Sequence, residues 1–459
     1  MAGKAAQEIS AETSELSAYM AGADQLRLPD EVVEIAKHHI LDAMAAMISG
    51  SQLAPGALAL RHVSGQVACA DSGLAGVAHL TSAPLAAFAN GMCAHADETD
   101  DSHFTSRTHP GSAIAPAALA MAQRNGTSGA SFLRAIVLGY DVCARLVHAL
   151  DMRGFAKMSR SCHSFGGTFG AGAAAGLLQR FDAEKMRFLL SYCAQMASGC
   201  GAYMHDSSHI EKAFVYAGKS SQNGVLAALM VADGFPAAPD VFAGDRNFLD
   251  AYAARPDRAA LVAELGHKFE IARTNLKKWC VGSPIQAPLD GLQAILEERA
   301  FAAEDVLRID VELAPTNART VDGRPIPNVN LQHLFAVMLV DRKLTFGSSH
   351  DLARMLDPRI LEVREKVRIL PLESLEHATP PRQSIVTVFL RDGSHIRRHI
   401  LAVRGTADNR MGRAEVLAKA EDLITPVLGS AAFRRISAFV FSIEDVADMS
   451  AAKGIMSPG

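Results

Sequence analysis

The run Cys162-His163-Ser164-Phe165-Gly166-Gly167-Thr168-Phe169-Gly170-Ala171-Gly172-Ala173-Ala174-Ala175-Gly176 can be read as part of either of two folds. As a nucleotide fingerprint, Gly170, Gly172 and Gly176 spell GxGxxxG, which belongs in a strand-turn-helix unit. The surroundings argue against that: no strand-like run precedes it, and no strand ending in an acid follows at the required distance. The alternative is a helix whose small residues permit close packing. Its first-turn amides and dipole would make an anion site beside His163, a histidine that suits a structural or a catalytic role.

Outward from this helix the text stays helical from Pro29 to Gly234, in alanine-rich runs broken by short Gly, Ser, Asp and Asn punctuation. Asp30-Glu31 opens a helix to about Ser49, with acids in its first turn and apolar spacing at Val32, Ile35, Ile40, Met44 and Met47. Asn125–Gly129 launches Ser131–Leu150, Asp182 caps a helix to about Ser198, and Lys212–Asp233 forms another, interrupted near Gly218. After Gly266 the period changes to two. Lys268–Ile271, Val306–Leu313, Ser384–Leu390 and His395–Ile400 read as strands, the last two flanking the hairpin turn Asp392-Gly393. Helical stretches at Pro284–Glu298, Leu331–Arg342 and Ser348–Leu356 lie between them. The expected fold is mostly α with a smaller α+β domain. A helical domain, 1–267 completed by 401–459, carries a 268–400 lid containing an antiparallel sheet.

A chain of 459 residues is long enough for two or three domains, and 49% hydrophobic with 20% charged residues suits a large folded core. A net charge of -4 gives no reason to expect nucleic acid or an anionic membrane as partner. Seven scattered cysteines without a CxxC pair suggest reduced thiols and a cytoplasmic setting. No uncharged apolar run is long enough to span a bilayer, and MAGKAAQEISAET lacks the apolar core of a signal peptide.

The densest chemistry lies in His95–Gly111, HADETDDSHFTSRTHPG, between apolar helical segments. Asp97, Glu98, Asp100 and Asp101 alternate there with His95, His103 and His109. Such a loop could hold a divalent ion, although HExxH and paired CxxC signatures are missing. It could equally be a capping loop for nearby helix termini. As an acid/base site, Asp100 or Asp101 would fix the tautomer of an imidazole, and His109 before Pro110-Gly111 would be held stiffly. Three further places attract attention. Lys212 and Tyr216 fall on one helical face at i, i+4. Asn275–Gln286 carries the single Trp and Lys277 just after the change of pattern. Tyr140 and Arg145 lie on an apolar helix, where Arg145 invites a buried anionic partner.

Taken together and in order, the acidic stretch ending in THPG, HSFGGTFGAGAAAG, KAFVYAG…NGVLAALMVADGF and LKKWCVGSPIQAPLD resemble the MmgE/PrpD family, over about Pro29 to Arg404. The resemblance implies a homodimer with a helical domain, an α+β lid and metal-free, cofactor-free catalysis on a small polycarboxylate. The reaction would be that of a lyase, either a dehydratase of the 2-methylcitrate type or a decarboxylase of the cis-aconitate type. The alternative is an epimerase of the iminodisuccinate type. By correspondence the family aspartate pair is Asp100-Asp101 with Ser102 following, the histidines are His109 and His163, and the lysines are Lys212 and Lys277. Glu98 stands where many members have a further aspartate, and Tyr216 and Gln286 where they have histidines. His109 would move the proton at carbon, and His163 would be a second acid/base or a carboxylate ligand. Lys212, Lys277, Arg145 and the helix start at Gly166–Thr168 would hold carboxylates, with Tyr140 among the lining residues.

Overall fold

The computed structural model describes residues 8–458. They divide into two compact units: Met1–Thr274 with Leu423–Gly459, and Asn275–Asp422. The first junction therefore falls at Thr274, against the expected 267. Lys268–Ile271, read as a strand, is instead the approach to a 3-10 turn at Glu270–Arg273. That turn belongs to the helical unit because the Glu270 amide donates to Asp141 Oδ1 at 2.6 Å. The second junction falls at Asp422, against the expected 400. Residues past 400 stay with the smaller unit through Leu276 N–H to the Gly405 carbonyl, 2.9 Å, and through the ion pair Arg404–Glu415.

The helical unit is built from α1 (Asp30–Gly50), α2 (Ala83–Ala94), α3 (Pro110–Asn125), α4 (Gly129–Ala149), α5 (Cys162–Leu178), α6 (Ala183–Met196) and α7 (Lys219–Ala232). Local signals set their ends. Asp182 accepts from the Lys185 amide at 2.9 Å, Ser128 caps α4 through Ser131 N–H, and Gly126 closes α3 in the left-handed region at φ 62°. α5 is buried from Ser164 to Leu178 and packs against α3, α4, α6 and α7. A Cβ on Gly170 would lie 2.6 Å from the Gly139 carbonyl oxygen, and one on Gly224 would lie 2.4 Å from the Gly172 nitrogen. Two neighbouring helices thus meet α5 backbone to backbone, which no larger residue permits. The glycine pattern is a packing device.

The smaller unit holds one four-stranded sheet of β1 (Val306–Leu313), β2 (Val367–Pro371), β3 (Ser384–Leu390) and β4 (His395–Ile400), in the order β2-β1-β3-β4. β1 pairs antiparallel with β3, with Val311 opposite Val386, and β3 pairs antiparallel with β4, with Val388 opposite Ile396. The sheet is antiparallel from β1 through β3 to β4, and β2 adds a parallel edge to β1 with Ile309 opposite Val367, so that the whole is mixed. β2 is a mostly exposed edge strand ending in Pro371, so its alternation is weak in the sequence. Ile309, Val311, Val386, Val388 and Ile396 form one apolar face, completed by Leu289, Leu292 and Ile295 of the helix Gln286–Glu298. Burial of each such side chain contributes about 1.5–3 kcal/mol. Among the described residues one helix, Arg413–Phe441, is long and apolar enough to cross a membrane by length and composition. It contains Pro426 and is broken at Gly429 (φ 83°, ψ 161°).

Candidate active site

The loop from His95 to His109 joins α2 to α3, and two adjacent aspartates organise it in different ways. Asp101 accepts the Gly111 amide at 2.9 Å and the Tyr140 hydroxyl at 2.6 Å, and it faces His39 Nδ1 at 2.7 Å. It fastens the first turn of α3 to α1 and α4. His109 is the residue before that turn and Pro110 its first residue, so the backbone around His109 is fixed by ring closure and by Asp101 together.

Asp100 faces the other way. Its Oδ2 accepts Nδ1–H of His95 at 2.8 Å and its Oδ1 accepts Nδ1–H of His109 at 3.1 Å. A carboxylate only accepts here, which assigns the proton to Nδ1 in both rings and leaves both Nε2 atoms with lone pairs. The His95 side chain is 0% exposed and the His109 side chain 13% exposed, so His109 is the ring a ligand can reach.

Two further rings complete the cluster. His163, in the first turn of α5, lies with its centroid 5.4 Å from that of His109. Tyr216 stacks on His163 at 3.6 Å and 15°, and on His95 at 4.5 Å and 18°. Burial of the ring, reinforced by His109, pushes the His163 pKa well below the ordinary imidazole value. Burial, partly offset by Asp100, pushes down that of His95. Both rings are neutral near pH 7, and His95 Nε2 and His163 Nδ1 are buried without a hydrogen-bond partner. His209, 5.2 Å from His95, is lowered to about 4 by burial and by Lys212.

Lys212 arrives on one α-helical turn, Ile210–Ala213, that continues as a π-turn through Phe214–Gly218 into α7. The interruption expected near Gly218 is this π-turn, a distortion common at functional sites. Asp206 accepts the amides of Glu211 at 2.6 Å and Lys212 at 3.2 Å and so fixes the start of the segment. Lys212 forms an ion pair with Glu98, and its Nζ lies 5.2 Å over the Tyr216 ring. The Tyr216 hydroxyl donates to that of Tyr203 at 3.3 Å.

Of the residues singled out from sequence, Asp100, His109, His163, Lys212, Glu98 and Tyr216 converge here, with Asp101 and Tyr140 fastening them. Ser102 is buried on the short extended pair Ser102–His103. Two expectations are corrected. Arg145 does not take up a carboxylate: its guanidinium donates to the carbonyls of Ala263 and of Lys268, the latter at 3.0 Å. Thr168 is buried and its hydroxyl donates to the Ser164 carbonyl at 2.8 Å, so Gly166–Thr168 is the second turn of a helix that starts at Cys162. Lys277 and Gln286 belong to the other unit. There the Gln286 amide closes a loop, accepting Trp279 N–H at 3.0 Å and donating to the carbonyls of Trp279 and Val281. That loop closure explains why a glutamine suits the position.

His95 and His209 were missed as site residues. Nothing in the spacing separates His95 from His103 in the same stretch, yet His103 pairs with Glu270 at 3.0 Å and Ser106 at 2.7 Å, away from the cluster.

Comparison with known proteins finds family matches along most of the chain. Residues 14–260 match the MmgE/PrpD N-terminal domain and residues 279–445 the MmgE/PrpD C-terminal domain. A relative from Aspergillus oryzae, a cis-aconitate decarboxylase-like protein, is 25% identical over 483 residues, covering 97% of each chain.

Proposed function

Because this chain belongs to the MmgE/PrpD family, we propose that it is a cofactor-independent lyase acting on a small di- or tricarboxylate. The observation that carries the reading is the couple Asp100–His109, open at His109 Nε2, facing the neutral ring of His163 beside Lys212. In this reading Lys212 holds one carboxylate of the substrate, exchanging part of its pairing with Glu98. Lys277 is the second ammonium, assigned by family correspondence. His109 Nε2 takes the proton from the carbon beside a carboxylate, and the electron pair passes into that carboxylate as an enediolate stabilised by the ammonium charge. Collapse of the enediolate expels hydroxide from the neighbouring carbon. His109, now an imidazolium, passes its proton to that hydroxide, which leaves as water and returns His109 to its starting state, while the neutral ring of His163 bounds the site opposite it. Where the leaving group is carbon dioxide, no proton is removed first: the electrons of the broken C–C bond pass into a carbanion, and His109, carrying a proton taken from solvent, protonates it.

The pairing of two imidazoles at 5.4 Å also favours a second reading, an epimerase in which one ring removes the proton and the other replaces it on the opposite face. Incubation with a panel of di- and tricarboxylates in heavy water, followed by proton NMR, separates the two. Loss of water or carbon dioxide marks the lyase, and deuterium uptake with unchanged carbon skeleton marks the epimerase. A protein inert towards every acid, with no thermal shift, refutes both. We further propose a cytoplasmic homodimer, for which light scattering on the purified chain is the direct test.

A further inference from the structure

We infer that His95, Asp100 and His109 form a binding site for a divalent transition-metal ion. One ring nitrogen from each histidine and one carboxylate oxygen lie within 4.8 Å of one another. Asp100 reaches His95 through Oδ2 at 2.8 Å and His109 through Oδ1 at 3.1 Å, both close to the separation of roughly 3 Å between neighbouring ligands on an ion bound at about 2.0–2.1 Å. The donors need little rearrangement to turn from one another to a shared cation.

Two independent features support this. His95 is fully buried and Asp100 alone holds its proton on Nδ1; Nε2 has no hydrogen-bond partner, so no bond has to break there for the proton to move across and leave Nδ1 free to ligate. The surroundings are also electrostatically tolerant. The nearest ammonium, Lys212, is compensated by Glu98, and Asp100 supplies a negative charge to the ion. Two imidazoles with a single carboxylate suit zinc, iron(II), cobalt or nickel. Magnesium and calcium prefer oxygen donors. Partial access at His109 gives the ion an entry.

This inference rests on the proposed role of His109 only for its consequence: an ion there would occupy the ring that carries the proton and would inhibit turnover. The test is calorimetric titration of zinc sulfate into metal-free protein in which the exposed Cys69 and Cys200 are replaced by serine, so that thiols contribute no signal. One zinc per chain is expected, with affinity reduced at least about tenfold in His95→Asn and in His109→Asn. Circular dichroism checks that each variant is folded. Absence of saturable binding, or equal binding in both variants, overturns the site. Turnover with and without zinc, restored by EDTA, is a separate measurement. One-to-one binding that leaves turnover intact keeps the ion site and removes His109 from the proposed proton transfer.

Discussion

Two buried polar knots in the helical unit are made of nearly the same residue types and end up with opposite properties. Around Glu270, the carboxylate meets His103 at 3.0 Å and Arg273 at 3.0 Å. Asp141 takes the Tyr19 hydroxyl at 2.7 Å and the Glu270 amide at 2.6 Å, and Arg145 is held by two backbone carbonyls. The group left without a partner there is Arg145 Nε, a donor that cannot take up a proton. Around Asp100, the groups left over are the imidazole nitrogens His95 Nε2, His163 Nδ1 and His209 Nε2, next to the accessible ring of His109. Density of acids and bases therefore does not make a site; what matters is which kind of atom remains unpaired. The Glu270 knot ties helices together, while the Asp100 knot can exchange protons.

Substitutions can break that contrast. The largest effect is expected from His109→Ala, which should lower kcat by at least about a hundredfold while the far-ultraviolet spectrum and melting temperature stay near those of the parent. Near-normal turnover would end the distinction between the knots. Asp100→Asn should follow, with kcat reduced on the order of tenfold or more through loss of the Nδ1 acceptor that sets the His109 tautomer. Asp101→Asn, one residue away, should act chiefly on stability, at about 1–3 kcal/mol in urea unfolding, because it weakens the joint with Gly111, Tyr140 and His39. If the two aspartates proved interchangeable in kinetics and unfolding, their division of labour would be wrong. Arg145→Met should cost about 1–3 kcal/mol in the same assay, with KM and kcat unchanged, since it orphans the Ala263 and Lys268 carbonyls.

The smallest effect is a slope. Burial, opposed by the Glu270 amide and Arg145, raises the Asp141 carboxyl to about 7. Between the ordinary carboxylate range and about 7 the folded chain binds this proton and the unfolded chain does not. The contribution of Asp141 to stability is therefore full below that window and lost as pH rises through it. Urea midpoints at pH 5 and pH 7.5 should differ less in Asp141→Asn than in the parent. An identical difference would show that Asp141 ionises normally.

The helical architecture was readable because its cues are local: acids opening Asp30–Gly50, Ser128 and Asp182 as caps, and the change to period two before Val306–Leu313. The glycine-rich run was readable as a helix because the strands required by the other reading were missing from its flanks. What escaped was non-local. β2 was hidden by Pro371 and exposure, and Lys268–Ile271 alternates like a strand yet is fixed by an amide bond to a helix far away in sequence. The site was legible at His109, His163, Lys212 and the aspartate pair, through family likeness and density of titratable groups. His95 was hidden because burial and stacking on Tyr216 are properties of the assembled helices. Arg145 misled because a buried guanidinium can satisfy itself with carbonyls as well as with an anion.

The π-turn at Phe214–Gly218 fits one residue more into its loop than an α-turn does. Such a turn takes up its extra residue within about the rotation of an ordinary turn, so the helix on either side keeps its register. Tyr216 lies inside it, stacked on His163 and His95, while the contact of Gly224 with Gly172 lies beyond it. A ring is thereby aimed into the imidazole cluster without disturbing the tightly packed helix that carries it.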